Sequence, residues 1–184
     1  VKLVDYECIT SQNGDNEKRP KRIVTFGRFA GIAGMNNILS GLGQRLLSKG
    51  YSTPFLHVPL AYMNADLERL HENVKNVGDE ISRGGLGNLE PLVFAFAGKN
   101  GNVTNGALEI FKFLPHEMLS GVNELKVLRS SDKEQTCVYG IVLDQKDIVK
   151  HKAQYNCDEA IEDFNTEHFR SYPYEYESTF HENV

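Results

Sequence analysis

The chain has 184 residues, of which 40% are hydrophobic and 24% are charged, as in an ordinary globular domain rather than a disordered chain. Its 25 acidic residues outnumber its 20 lysines and arginines, which argues against a general nucleic-acid binder because phosphate contacts need cations. The longest apolar run, around Leu92–Ala97, is too short to span a bilayer, and no signal-peptide pattern is present.

Between residues 22 and 58 the sequence predicts one long helix between two short strands. Arg22–Phe26 suits a short strand or the start of the helix. Apolar residues then recur at helical steps of three and four: Met35, Ile38, Leu39, Leu42, Leu46 and Leu47. Lys49 followed by Gly50 is typical of a helix end. Tyr51–Val58 predicts a strand, and Pro54 restricts it to a sheet edge because proline has no N–H.

A second helix is predicted next, followed by a glycine-rich loop. Leu67, Leu70, Val74 and Val77 mark its apolar face. Asn64 is the predicted N-cap of this helix, and Gly78 is the predicted first residue beyond its end. The loop contains three glycines: Gly84, Gly85 and Gly87.

The second half of the chain predicts a strand–helix–strand unit. Leu92–Ala97 is apolar at every position, which favours a central strand of a parallel sheet with both faces buried. A helix around Ala107–Leu114 follows and is stopped by Pro115. His116–Leu119 and Cys137–Leu143 are further strands. The predicted fold class is therefore α/β, a Rossmann-like domain with a mainly parallel sheet.

Two glycine clusters compete as the ligand site. Gly27–Gly34 has glycines at steps of four and three, which favours close packing of a helix over ligand binding. Gly98–Ala107 lies between a strand and a helix, where free N–H groups and the helix dipole hold a pyrophosphate. Asn102, Thr104 and Asn105 are its candidate N-caps, and Gly106 is expected to let helix and strand pack closely. From the pattern alone, a nucleotide site and a plain strand–helix turn stay equally open.

Cysteine and histidine spacing indicates neither a disulfide framework nor a metal site. Cys8, Cys137 and Cys157 are far apart and odd in number, so we expect free thiols and a reducing compartment. The six histidines are scattered without ligand spacing, so we expect surface or packing roles for them: His57, His71, His116, His151, His168 and His181.

Several blocks, in order and at similar spacing, resemble the lysine-ketoglutarate reductase family, the lysine-forming saccharopine dehydrogenase half of bifunctional aminoadipic semialdehyde synthases. The longest is Arg22–Leu39, which reads RIVTFGRFAGIAGMNNIL. The others are Leu3–Glu7, Thr53–His57, Gly101–Phe111 and Val138–Leu143. The resemblance implies an alanine-dehydrogenase-like fold, with a nucleotide-binding domain inserted into a substrate domain. It also implies that L-lysine and 2-oxoglutarate are condensed and that the imine is reduced by NADPH to saccharopine.

The resemblance places the cofactor on the second glycine cluster. The backbone N–H groups of Gly101, Asn102 and Val103 are expected to face the pyrophosphate, with Gly98 and Gly106 shaping a turn one residue longer than the family's. Ser120 stands where NAD-binding folds often carry an acid for the ribose, which favours NADPH over NADH. Nearby cationic and hydroxyl residues could meet the 2′-phosphate or form a solvated loop: Lys126, Arg129, Ser130, Ser131 and Lys133.

The resemblance also divides the chain and limits its chemistry. Residues 1–21 are expected to be a lead-in from the substrate domain, 22–157 the nucleotide-binding domain, and 158–184 a tail with eight acids and one arginine. The chain lacks a starting Met, so we expect part of a longer polypeptide. The family's catalytic Lys and His lie upstream, so no catalytic residue is assigned here and the isolated chain is expected to be inactive.

Three interpretations stay open. The first is this cofactor-binding part, whose helix 27–48 would meet the missing substrate domain, with Arg28 and Phe29 toward the cleft. The second is a complete nucleotide-linked enzyme, and the third is a cofactor-less regulatory or interaction module. The resemblance implies a mitochondrial location; a cytoplasmic one and homo-oligomerisation stay open.

Overall fold

A computed structural model describes residues 2–11, 22–121, 123–124, 128, 136–152 and 164–180. The helices are α1 (Gly27–Ser48), α2 (Leu67–Gly84) and α3 (Asn102–Phe111), with short helices at Gln145–Ile148 and Thr166–Ser171. The strands are β1 (Val93–Ala97), β2 (His116–Leu119), β3 (Val138–Leu143), β4 (Val149–His151) and β5 (Tyr176–Ser178). Short 3₁₀ helices lie at Tyr6–Cys8, Pro54–His57, Ala61–Met63 and Pro173–Glu175.

The main sheet is parallel and has the order β1-β3-β2. The architecture is therefore α/β, with a parallel three-stranded sheet flanked by helices, consistent with a Rossmann-like domain. The prediction that the Leu92–Ala97 segment is the central strand is wrong. Among the described residues β1 has a strand neighbour on one side only, and β3 takes the central place with all but one of its residues buried. An apolar run indicates burial, but it does not indicate the neighbour that provides it.

Helix α1 is the longest element and forms much of the core. Ile32, Met35, Leu39 and Leu46 are buried on one face. The segment Arg22–Phe26 has no strand among the described residues, apart from a single bridge between Arg22 and Thr10. It leads into the helix, which ends before Lys49 as the sequence predicts.

The strand predicted at Tyr51–Val58 is wrong, because Pro54 starts a 3₁₀ helix instead. Proline's fixed φ suits the first position of a helical turn. That turn places Phe55 in the core with its side chain fully buried. The prediction located an apolar segment correctly but gave it the wrong local geometry.

The predicted ends of α2 are also wrong. The N-cap is Asp66, whose carboxylate accepts from the Arg69 N–H at 2.8 Å. Asn64 instead donates its amide N–H groups to two nearby carbonyls, and its amide oxygen accepts from the Asn73 amide. Gly78 lies inside the helix, where its missing Cβ leaves room for the Phe113 carbonyl. The helix ends at Gly84, and Gly85 takes a positive φ of 66°.

A second, two-stranded sheet pairs β4 with β5 in antiparallel fashion, with His151 opposite Tyr176. Cys8 and Cys137 are free thiols, Cys8 on the surface, and Cys157 lies outside the described residues. Within the described part of the chain, no helix has both the length and the apolar character needed to cross a bilayer.

Candidate functional site

The turn between β1 and α3 is built from backbone conformations that favour glycine and asparagine. Gly98 has a φ of 108° and Asn100 a φ of 63°. The Gly98 N–H donates to the Leu143 carbonyl at 2.9 Å, and the Thr104 hydroxyl donates to the Gly98 carbonyl at 2.6 Å. The turn is thus attached to the central strand and to its own helix, at the carboxyl end of a parallel strand.

The first turn of α3 has no side-chain cap. Gly101 is the N-cap residue, so the prediction that Asn102, Thr104 or Asn105 caps this helix is wrong. The Thr104 hydroxyl instead donates a hydrogen bond to the Gly98 carbonyl in the preceding turn. Within the described residues, the backbone N–H groups of Asn102 and Val103 have no hydrogen-bond partner, whereas that of Gly101 donates weakly to the Gly98 carbonyl at 3.4 Å. Two donors are therefore open at the positive end of a helix.

The glycines on α1 and α3 bring these helices into backbone contact. A Cβ on Gly31 would lie 2.8 Å from the Ala107 nitrogen, and one on Gly106 would lie 2.8 Å from the Arg28 carbonyl carbon. The prediction that Gly106 serves helix–strand packing is therefore wrong, because its neighbour is α1. The packing role of the first cluster holds for Gly27 and Gly31 but not for Gly34, which has nothing within 4 Å of a built Cβ.

The start of α1 lies beside the start of α3. A Cβ on Gly27 would be 2.9 Å from the Asn102 Cβ. Arg28 binds Glu109 of α3 through two parallel hydrogen bonds of 2.9 and 2.7 Å and lies 5.3 Å from the Phe29 ring centre. The Arg28 guanidinium is thus engaged with α3, and Phe29 is exposed. That these two residues face the cleft of a substrate domain stays a prediction.

Ser120 lies directly after β2 and is bound by a carboxylate that the sequence did not predict there. Its N–H donates to Glu124 Oε2 at 2.9 Å, and its hydroxyl donates to Glu124 Oε1. These hydrogen bonds lower the pKa of the exposed Glu124 carboxyl, and the bond from the Ser120 hydroxyl has the largest effect. Ser120 does stand at the strand end in place of an acid, but a turn of chain brings the Glu124 carboxylate to it from four positions downstream.

The remaining predicted site residues, Ser130 and Ser131, lie outside the described residues, as do Lys126, Arg129 and Lys133. The structure thus brings together Gly98, Gly101, Asn102 and Val103 in one turn and puts Gly106 beneath it. Ser120 follows a different strand, which β3 separates from β1.

An apolar groove of about 440 Å³ lies between α1, β1 and α3. Its walls include Gly34, Ile38 and Leu42 of α1, with Phe94 of β1 and Val103 of α3. Val103 is 55% exposed and belongs both to this groove and to the open turn of α3. The sequence did not predict this groove, because Ile38 and Leu42 were assigned to a buried helix face.

A second cluster of polar side chains lies in the small sheet, away from the glycine turn in sequence. His151, His168 and Glu175 offer one ligand atom each, all within 4.8 Å of one another. Sequence reasoning missed them because the three residues belong to a strand, a helix and a 3₁₀ turn with no regular spacing. Pairing of β4 with β5 brings His151 beside Glu175, and the helix at Thr166–Ser171 adds His168.

The parallel sheet flanked by helices defines the class as an α/β, Rossmann-like domain with a glycine-containing strand–helix turn. No protein-family model matches the sequence. The chain is 39% identical over 194 residues to alpha-aminoadipic semialdehyde synthase of Arabidopsis thaliana, covering 100% of the chain and 17% of that protein. The mouse synthase, named mitochondrial, is 35% identical over 185 residues, covering 100% of the chain and 18% of the relative. The rat synthase, also named mitochondrial, is 40% identical over 144 residues, covering 78% of the chain and 15% of that protein.

The chain is therefore similar over its whole length to one segment of the Arabidopsis and mouse synthases, and it spans only 17% and 18% of their length. The family resemblance is confirmed at the level of alpha-aminoadipic semialdehyde synthase. The assignment to the lysine-ketoglutarate reductase part stays a prediction, as do the division at residues 21 and 157 and the roles of the site residues.

Proposed function

We propose that this chain is the NADPH-binding part of a lysine-ketoglutarate reductase, within a polypeptide that condenses L-lysine with 2-oxoglutarate and reduces the imine to saccharopine. The observation that carries the proposal is the uncapped first turn of α3, where Asn102 and Val103 keep open N–H groups beside Gly101. Similarity to the synthases over the whole chain supports the reaction class. The names of the mammalian relatives support a mitochondrial location as part of this proposal.

The residues of the turn fit a pyrophosphate. Gly101 has a φ of −75°, and a Cβ there would meet nothing closer than 3.6 Å, so glycine is not required by this chain's own packing. A missing side chain at that point instead leaves a path by which a phosphate reaches the two N–H groups. Gly98 does need to be glycine, because its φ of 108° is costly for other residues. When bound, the cofactor would supply the hydride.

The choice of NADPH over NADH depends on Ser120 and Glu124. A carboxylate at the end of the second strand commonly binds the ribose hydroxyls of NAD and repels a 2′-phosphate. Glu124 occupies this position through its two bonds to Ser120. We therefore infer that NADPH binding requires Glu124 to leave Ser120, whose hydroxyl and N–H then become available to the phosphate. Because Glu124 is fully exposed, nothing in its own packing opposes that movement.

Catalysis is assigned to the assembled polypeptide rather than to this chain. The reaction must hold lysine's amine, the oxo acid and a hydride donor within reach of one another, with a group that moves protons during dehydration of the carbinolamine. The chain contributes the hydride donor's site in this proposal. Its partner is the substrate domain of the same polypeptide.

The test is a titration of the chain with NADPH in which binding is monitored by the fluorescence of the cofactor. Gly101→Val should weaken binding at least tenfold, because the side chain enters the phosphate path, while Gly34→Ala on the open face of α1 is the matched control. Equal affinity in wild type and the Gly101 variant contradicts this turn as the site. Saccharopine formed by the chain alone, given lysine, 2-oxoglutarate and NADPH, contradicts the assignment of catalysis elsewhere.

One observation favours a second candidate function, a cofactor-less regulatory or interaction module. The groove beside β1 is lined by apolar side chains, and among the described residues that strand's outer edge carries no partner strand. Exposed apolar grooves and open strand edges are surfaces that other proteins bind. The same titration separates the candidates, since a module that has lost its cofactor gives no saturable NADPH signal.

A further inference from the structure

We propose that His151, His168 and Glu175 form a binding site for a divalent transition-metal ion of the Zn²⁺ type, which joins the two strands of the small sheet to the 166–171 helix. The three residues come from three elements: His151 ends β4, His168 lies in the helix, and Glu175 ends the 3₁₀ turn before β5. Nothing in the proposed reductase function uses them.

The distances between the ligand atoms suit a shared ion. The Nε2 atom of His151 lies 3.3 Å from Glu175 Oε2, and the Nε2 atom of His168 lies 3.7 Å from the same oxygen. Ligands of a tetrahedral ion with bonds of about 2.0–2.1 Å are separated by about 3.3–3.4 Å. A direct charge-assisted hydrogen bond would bring nitrogen and oxygen to about 2.7–2.9 Å. Both separations are longer than such a bond and close to the spacing around a metal.

Both imidazoles are oriented for metal binding by a partner on the other ring nitrogen. Nδ1 of His151 lies 3.3 Å from the Lys152 carbonyl oxygen, and Nδ1 of His168 lies 3.0 Å from the Tyr176 hydroxyl. A proton on Nδ1 of His151 would be donated to that carbonyl, which leaves the Nε2 lone pair directed at Glu175. Metal-bound histidines are commonly held in this way.

The backbone fixes the third ligand relative to the first. The Lys152 N–H donates to the Glu175 carbonyl at 2.8 Å, and Lys152 Nζ donates to the Tyr174 carbonyl at 2.7 Å. The three side chains are partly buried, with 10%, 32% and 19% exposed for His151, His168 and Glu175. Tyr176 packs against His151, and Tyr172 packs against His168. Phe164 and Phe169 in turn pack against Tyr176.

The donor set selects the kind of ion. Two imidazoles and one carboxylate suit Zn²⁺ and its first-row neighbours, whereas Mg²⁺ and Ca²⁺ prefer oxygen ligands. Three protein ligands leave a fourth tetrahedral position for water or another group. Strands of three residues give a two-stranded sheet little stability of its own, so an ion that links β4, β5 and the helix would stabilise this part of the fold.

The test is a titration of the EDTA-treated 184-residue chain with Zn²⁺, in which binding is measured by calorimetry and by the shift in the thermal unfolding midpoint. We expect one ion per chain and, at about 100 times the Kd, a rise in the unfolding midpoint of about 5 °C or more. Co²⁺ should give the intense visible absorption of a tetrahedral site, and Mg²⁺ should produce no heat. A wild-type chain that binds no Zn²⁺ overturns the proposal without recourse to any variant.

Substitutions locate the ion. Glu175→Gln and His168→Gln, each checked for a native circular dichroism spectrum, should lower Zn²⁺ affinity at least tenfold. The matched control is His57→Gln, because His57 also pairs with a glutamate, Glu80, at 2.9 Å but belongs to no group of three possible metal ligands among the described residues. Undiminished affinity in both cluster variants, or an equal loss in the His57 variant, places the ion elsewhere and refutes the site.

Discussion

Adding one methyl group to α1 should have opposite effects at two glycines of the same helix. Gly31→Ala places a Cβ 2.8 Å from the Ala107 nitrogen and 2.9 Å from the Val103 carbonyl carbon, with the Val103 oxygen closer still. Gly34→Ala places it in open space, with no atom within 4 Å. Both substitutions gain the same helix propensity, about 0.5–1 kcal/mol, so their difference isolates the overlap between α1 and α3.

The overlap should cost about 3 kcal/mol, the upper part of the range for overpacking, because the atoms that must move are backbone on both helices. A difference of that size corresponds to about 6–12 °C in the unfolding midpoint of a chain of this length. The assay is urea unfolding of both variants followed by circular dichroism. Gly41→Ala, also open at its Cβ, is a second control that should behave like Gly34→Ala. Equal free energies of unfolding for the Gly31 and Gly34 variants would refute the close backbone contact.

Three other predictions follow from the described contacts. Glu124→Gln removes the carboxylate charge at Ser120, so it should raise the affinity for NADPH relative to NADH at least several-fold in paired titrations. An unchanged ratio of the two affinities would show that Glu124 does not determine cofactor choice. Burial raises the pKa of Tyr139 from 10.0 to about 12, so its contribution to the free energy of unfolding is present below pH 10 and is lost as pH rises through about 12. Tyr139→Phe should flatten the fall in stability over that window, whereas Tyr62→Phe, at an exposed site, should retain the wild-type slope. The half-exposed Arg28–Glu109 pair should show a coupling of only about 1 kcal/mol or less in a double-mutant cycle of alanine variants, since solvent screens it; a value several times larger contradicts that screening.

The elements with strong periodicity could be predicted from the sequence. The helical spacing of Met35, Leu39 and Leu46 predicted α1, and Lys49 followed by Gly50 predicted its end. The apolar run before Gly98 predicted β1, and the residues around Ala107–Leu114 predicted α3. Local pattern carries this information because each residue's burial follows from its place on the helix or strand. Local pattern does not predict the strand order, because that order depends on which strands meet after the chain has folded back. For that reason the prediction that β1 is the central strand was wrong.

The candidate functional residues likewise include some that could be predicted from local sequence and some that could not. The place of the glycine turn between β1 and α3 could be predicted because it follows from neighbouring residues such as Gly98, although the N-cap of α3 was assigned to the wrong residues. The carboxylate on Ser120 was missed because Glu124 reaches back across a turn. The cluster of His151, His168 and Glu175 was missed because only sheet pairing and a helix bring its members together. Tertiary contacts of this kind have no fixed spacing in sequence.

The amino-terminal ends of α1 and α3 lie side by side, so the positive ends of two helix dipoles are adjacent. Each helix end carries about half a positive charge, and neither helix has an acidic residue in its first turn. The folded chain therefore contains a repulsion between the two ends that an anion would relieve. By linkage, an anion that binds only the folded chain adds RT ln(1 + [anion]/Kd) to the free energy of unfolding. The placement of the two helix ends and the binding of an anion there are thus thermodynamically coupled.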